Sequence, residues 1–270
     1  MQLLPISLLI AVSLFSSAAM TLAEGVMISK QEASRIGKLI FYNECAGDEA
    51  LLTSWNRGED FPSLGIGHFI WYPAGNSGPF KESFPELIWF IETNGVDIPV
   101  WLAEAIKNGA PWRSRDAFLK AQNSQQMREL RVLLSQTKPM QTEFMIRRLH
   151  RALPRMLASA PQQEHENIRQ QFNRVAAAPM GYYALVDYVN FKGEGAKSTE
   201  RYQGQGWGLL QVLQNMHGRT PGNHALTEFA DAAIAILTQR IQLSPNERYE
   251  QRWLPGWKKR IDTYRPREAR

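Results

Sequence analysis

Glu44 and the run Ser63-Leu64-Gly65-Ile66-Gly67-His68, nineteen residues further on, are the residues whose types and spacing point most directly to chemistry. Breaking a glycosidic bond needs a protonated carboxyl beside the leaving oxygen. A glutamate at a helix end, walled by apolar side chains, has its neutral form favoured by desolvation. Phe41, Tyr42 and Trp55 are the nearest candidates for such walls. In the second motif two glycines let a strand run close to a ligand, and His68 stands at its edge. The plain alternative is a surface glutamate at a helix terminus followed by an ordinary tight turn.

A second glycine-rich stretch competes for the same role. Gly193-Glu194-Gly195 leads into Gln203-Gly204-Gln205-Gly206-Trp207-Gly208-Leu209-Leu210-Gln211, with Glu194 fourteen residues before Gly208. Glu194 is either the acid itself or a second carboxylate facing Glu44. Equally, the stretch reads as a loop packed on the core with Trp207 buried. Trp55, Trp71, Tyr72, Tyr202 and Trp207 carry the aromatic faces on which sugar rings stack, although most tryptophans in such a chain belong to the core.

These residues must be positioned by helices. Ser29-Lys30-Gln31-Glu32 is a capping box, and Ala33, Ile36, Leu39 and Ile40 recur at helical spacing, predicting a helix from about 30 to 44 with Gly47 as its stop. Residues 51–72 are rich in β-formers broken by Asn56-Arg57-Gly58, which predicts a small hairpin. From about 85 to 180 the pattern is helical again, with segments at 99–108, 125–136, 141–157 and 162–177. Residues 181–193 suit a buried helix, and 226–243 an apolar one. The fold class expected is mainly α, with a small β-hairpin and an extended helical middle region.

Composition bounds the rest. Residues 1–23 carry no charged side chain, and an apolar run gives way to small residues near Ala19 and Ala23. This predicts a signal peptide over about 1–23, although its first residues lack the usual Lys or Arg. The chain is then expected in the periplasm or outside the cell, with no stable membrane span after cleavage. The one cysteine, Cys45, cannot form an internal disulfide and reads as a buried filler. A net charge of +5 fits an acidic partner such as a wall polymer. The scattered basic residues argue against nucleic acid. His150, His165, His217 and His224 lack zinc spacing, so neither metal nor other cofactor is expected. Ser198-Thr199 and Cys45 have no recognisable base partner for nucleophilic catalysis. The oligomeric state is not readable.

The motif pair resembles the phage-type lysozymes. Ile40-Phe41-Tyr42-Asn43-Glu44 matches that family's Ile-x-x-x-Glu helix end, and Ser63 to His68 its Thr-Ile-Gly-Tyr/Ile-Gly-His turn, with serine for threonine. Pro255-Gly256-Trp257-Lys258-Lys259-Arg260 is similar to its closing Gly-Leu-x-x-Arg-Arg helix start. The resemblance implies a lysozyme-like domain over 24–270 with a helical insertion at about 85–180. It implies Glu44 as general acid, Ser63 holding the attacking water and His68 bracing the hairpin beside the substrate. The partner would be peptidoglycan or a related β-1,4-linked amino-sugar polymer. The family's second carboxylate lies six residues before its threonine, and Arg57 stands there; Glu59 and Asp60 are the nearest substitutes. Gly208-Leu209-Leu210-Gln211 resembles instead the Gly-Leu-Met-Gln motif of lytic transglycosylases and goose-type lysozymes, implying that Gln211 lines a sugar cleft. Three outcomes stay open: hydrolase, transglycosylase, and a glycan-binding protein without catalysis.

Overall fold

The computed structural model describes residues 28–198 and 200–266; the expected signal peptide at 1–23 and Thr199 lie outside the described residues. The protein is mainly helical, with a small antiparallel sheet. Helix α1 (Lys30–Cys45) starts where the capping box predicts, Ser29 Oγ accepting from Glu32 N at 3.1 Å. Its buried face is Ala33, Ile36, Gly37 and Ile40. It stops one residue before the expected glycine: Ala46, at φ 49°, is the left-handed cap, and Gly47 follows with φ 79°.

Strands β1 (Thr53–Ser54), β2 (Ser63–Leu64) and β3 (Phe69–Ile70) form the sheet, in the order β1-β2-β3. Ser63 lies opposite Ser54 on one side and Ile70 on the other. The middle region is α2 (Phe84–Thr93), α3 (Val100–Ala105), α4 (Arg115–Lys120), α5 (Gln125–Gln136), α6 (Lys138–Ala158) and α7 (His165–Ala176). Expected bounds and observed ones agree residue for residue at α5. Then come α8 (Gly181–Lys192), the short strands β4 (Arg201–Tyr202) and β5 (Gln205–Gly206), α9 (Leu209–Gln214), α10 (Asn223–Leu243) and α11 (Leu254–Asp262). The β4–β5 hairpin replaces the loop that the glycines of 193–208 suggest; two residues per strand are too few to show an alternating pattern.

Helix α6 is the organiser. It packs along α1, close enough that a side chain at Gly37 would begin 2.8 Å from Thr142 Oγ1. It also holds the β2–β3 turn. Buried Gln141 accepts from Ile66 N at 2.9 Å and donates to Leu134 O at 2.6 Å and Thr137 Oγ1 at 3.1 Å. The two turn glycines are explained here, by protein rather than by ligand. A Cβ on Gly65 (φ 69°) would meet Gln141 Oε1 at 2.4 Å, and one on Gly67 would meet Met145 Sδ at 2.8 Å. One contiguous apolar cluster joins α1, the sheet and the helices from α2 to α11. Among the described residues no helix is long and apolar enough to cross a membrane.

Candidate functional site

Three distant segments meet at Glu44. It lies on the last turn of α1, its side chain 13% exposed. The β2–β3 turn brings His68, at φ 46°, so that its Nδ1 stands 3.6 Å from Glu44 Oε2. Helix α11 brings Arg260, whose Nη2 donates to Glu44 Oε1. The surroundings of the glutamate are therefore charged and polar on both oxygens, not the apolar wall expected from Phe41, Tyr42 and Trp55. Tyr42 is largely exposed, and Trp55 is buried edge-on against Phe118, its Nε1 donating to Glu59 O at 2.7 Å.

Asp187 fixes Arg260. This fully buried carboxylate of α8 accepts from Arg260 Nε at 2.8 Å and Nη2 at 2.9 Å. It also accepts from Tyr264 Oη at 2.5 Å and Asn43 Nδ2 at 3.1 Å. Asn43, next to Glu44, donates to Tyr183 Oη as well, at 2.9 Å. Burial alone would lower the Arg260 pKa, but the hydrogen bonds and charges of Asp187 and Glu44 outweigh it and hold it above the ordinary arginine value. Burial, then Asp187, pushes the Tyr264 phenol well above its usual range. A planar guanidinium shared between two carboxylates orients both of them. Buried charges need this degree of pairing.

Asp187 was not among the expected site residues, although a signal for it exists: it is the sole acidic residue of an otherwise mostly apolar helix. Arg260 entered only as part of a resemblance. Its partners, 73 and 216 residues away, are set by the tertiary fold.

The second glutamate has a different partner. Glu194, two residues past α8, pairs with Arg155 of α6 at 2.8 Å. A chain of contacts links it to Glu44. His68 beside Glu44 follows Gly67, which rests on Met145; Met145 Sδ receives Asn190 Nδ2 at 3.3 Å; and Met145, Asn190 and Glu194 line one cavity. The 44–68 unit and the start of the 190–213 unit are thus packed together through buried Met145.

The remaining expected residues have separate places. Ser63 is buried in β2. Glu59 is half-buried, its Oε2 lacking a hydrogen-bond partner among the described residues, and Asp60 and Arg57 are exposed. Among the described residues none of these bonds to Glu44. Trp71 is fully buried between Phe84 and Trp112, and Tyr72 is buried as well. Gln211 is a clamp: it accepts from Gly208 N at 3.0 Å and donates to Gly195 O at 3.1 Å. A Cβ on Gly208 would sit 2.2 Å from Gly195 N, so these glycines serve backbone packing. Tyr202 and Trp207 meet at a tilt of 47° with ring centres 4.7 Å apart beside the Arg240–Glu250 ion pair, the Arg240 guanidinium 4.1 Å from the Trp207 ring. Among the described residues no group of three His, Cys, Asp or Glu side chains could hold a metal ion.

No family model, curated protein or solved structure matches this chain.

Proposed function

We propose that this chain is an exported, lysozyme-like enzyme that cleaves peptidoglycan or a related β-1,4-linked amino-sugar polymer, with Glu44 as general acid. The observation that carries the reading is the convergence of α1, the β2–β3 turn and α11 on one partly exposed carboxyl. A proton donor works only when held within reach of the leaving oxygen in a fixed orientation. Arg260 and Asp187 supply that fixing, because the guanidinium is itself pinned by two hydrogen bonds to a buried carboxylate. His68 closes the other side. Ser63, at the base of the same turn, is the residue that the resemblance makes the water holder.

A second reading has support from Arg57 and Asp187. Arg57 cannot act as a base, and Asp187 is fully buried and occupied by Arg260, Tyr264 and Asn43. With no second carboxylate bonded beside it, Glu44 would serve first as acid and then as base, releasing an anhydro-sugar as lytic transglycosylases do. Purified cell-wall sacculi digested by the wild type and by Glu44→Gln and Glu194→Gln variants separate these outcomes. Reducing ends mark hydrolysis, and anhydro-muropeptides mark transglycosylation. Binding without release by the wild type would leave a glycan-binding protein. Activity that survives Glu44→Gln and is lost in Glu194→Gln would move the acid to the second stretch.

A further inference from the structure

The second half of α6 carries four arginines. Arg147 pairs with Glu143 at 2.6 Å, Arg151 with Glu86 at 2.6 Å and Arg155 with Glu194 at 2.8 Å. Arg148, among the described residues, has neither ion pair nor hydrogen bond. Burial pushes its pKa down, with Glu86 and Glu194 near enough to oppose the shift but not to bond. A guanidinium stays charged in proteins, and this one is half-buried, its Cζ 5.9 Å from the Phe144 ring centre. A half-buried cation with no carboxylate bonded to it can receive an anion that arrives from outside.

The place for that anion is present. Arg148 lines a partly open cavity with Met145, Asn190 and Glu194. Glu194 at its edge is paired with Arg155, which offsets part of its charge. Asn190 is half free: its amide nitrogen reaches only the weak acceptor Met145 Sδ, at 3.3 Å. Its wall is packed against the turn beside the candidate acid, through Met145, Gly67 and His68.

We infer that the Arg148–Asn190 cavity is a subsite for a carboxylate carried by the glycan, which restricts the substrate to acidic amino-sugar polymers and disfavours neutral β-1,4-linked N-acetylglucosamine chains. The inference rests on the glycan-cleaving reading above. Arg148 would receive the carboxylate through a charge-assisted pair, and Asn190 would add a second donor.

Binding is measured on the full chain carrying Glu44→Gln, so that turnover does not interfere. Three length-matched probes are used: neutral chitooligosaccharide, glycan strands stripped of peptide and so bearing only the lactyl carboxylate, and strands with intact stems. At least one acidic probe should bind about tenfold more tightly than the neutral one, the worth of one charge-assisted hydrogen bond. Adding Arg148→Gln should erase that preference and leave neutral binding unchanged, whereas Arg148→Lys should keep most of it. Loss confined to stem-bearing strands assigns the stem carboxylate; loss on stripped strands assigns the lactyl group. Equal weakening on all probes, or an unchanged preference, overturns the inference while leaving a glycan cleft in place. Absence of binding to every probe overturns both. If Arg148→Gln does not fold, Asn190→Ala with Arg148→Lys carries the same comparison: the preference should fall with the first and persist with the second, and a preference unmoved by Asn190→Ala, or lost with Arg148→Lys, overturns the inference.

Discussion

Arg260 in α11 donates a hydrogen bond to Glu44 at the end of α1, across 216 residues of chain. The same guanidinium holds Asp187 in α8, so three helices are joined at one cation. The relation couples stability to the candidate chemistry, because the group that orients Glu44 also neutralises a buried carboxylate.

Arg260→Met should therefore be costly to the fold. It leaves Asp187 buried with only Tyr264 and Asn43 as donors, and breaking a buried pair in this way costs about 3–5 kcal/mol. Urea denaturation of the variant against the wild type measures the loss. A variant as stable as the wild type would mean that Asp187 takes up a proton or water at little cost.

Glu44→Gln should separate the two roles. Arg260 keeps Asp187, so the fold loses far less than in Arg260→Met. Glycan release should fall by about 10²–10⁴, the usual contribution of a general acid. Sacculus digestion with reducing-end and muropeptide analysis reads the effect, and wild-type rates in the variant would remove Glu44 from the chemistry.

Lys192 predicts a pH dependence. Its ammonium lies 3.5 Å from the Trp257 ring centre and 4.0 Å from that of Phe191. Burial, then Arg240, lowers its pKa from 10.5 to about 7. Between those values the unfolded chain binds the proton and the folded chain does not, so this residue's contribution to stability rises with pH across that window and is least favourable below it. Lys192→Met should stabilise the protein most near neutral pH and below, with the gain shrinking toward the unfolded lysine value. Urea midpoints at about pH 6, 8 and 10 test this; a gain independent of pH would show that lost packing, not titration, governs the site.

Gly208→Ala should open the 193–208 loop. The added methyl would fall on the Gly195 backbone, at 2.2 Å from its nitrogen, and overpacking of this kind costs about 1–3 kcal/mol. Thermal melting together with proteolysis of the 193–208 segment measures both effects. An unchanged melting temperature would mean that the loop shifts freely.

Cys45 should be unreactive while the protein is folded. It is fully buried, and burial, aided by Glu44, pushes its thiol up to about 12. The nucleophile is the thiolate, so a thiol reagent should modify it only on unfolding. Modification of the native chain at the rate of a free thiol would contradict its burial.

The elements were legible where a local rule governs them. Ser29 and Glu32 mark the start of α1, the apolar spacing marks α5 and α6, and the β-formers of 51–72 mark the sheet. The glycines of 65–67 were legible as a site of close approach but not as to what approaches: Gln141, seventy-five residues away, fills the space. Trp71 shows the same limit, since an aromatic residue suits a sugar platform and a core equally, and only packing places it between Phe84 and Trp112.

By itself the sequence determined the helical class, the position of Glu44 at a helix end and the turn that presents His68. Each of these depends on caps, spacing and backbone preferences within about twenty residues. Only the tertiary structure decided that Glu44 is held by Arg260, that Asp187 lies behind that arginine and that Arg148 is left without a carboxylate. Charge pairing in a folded interior depends on which side chains are withdrawn from water together. Chain order carries no record of that.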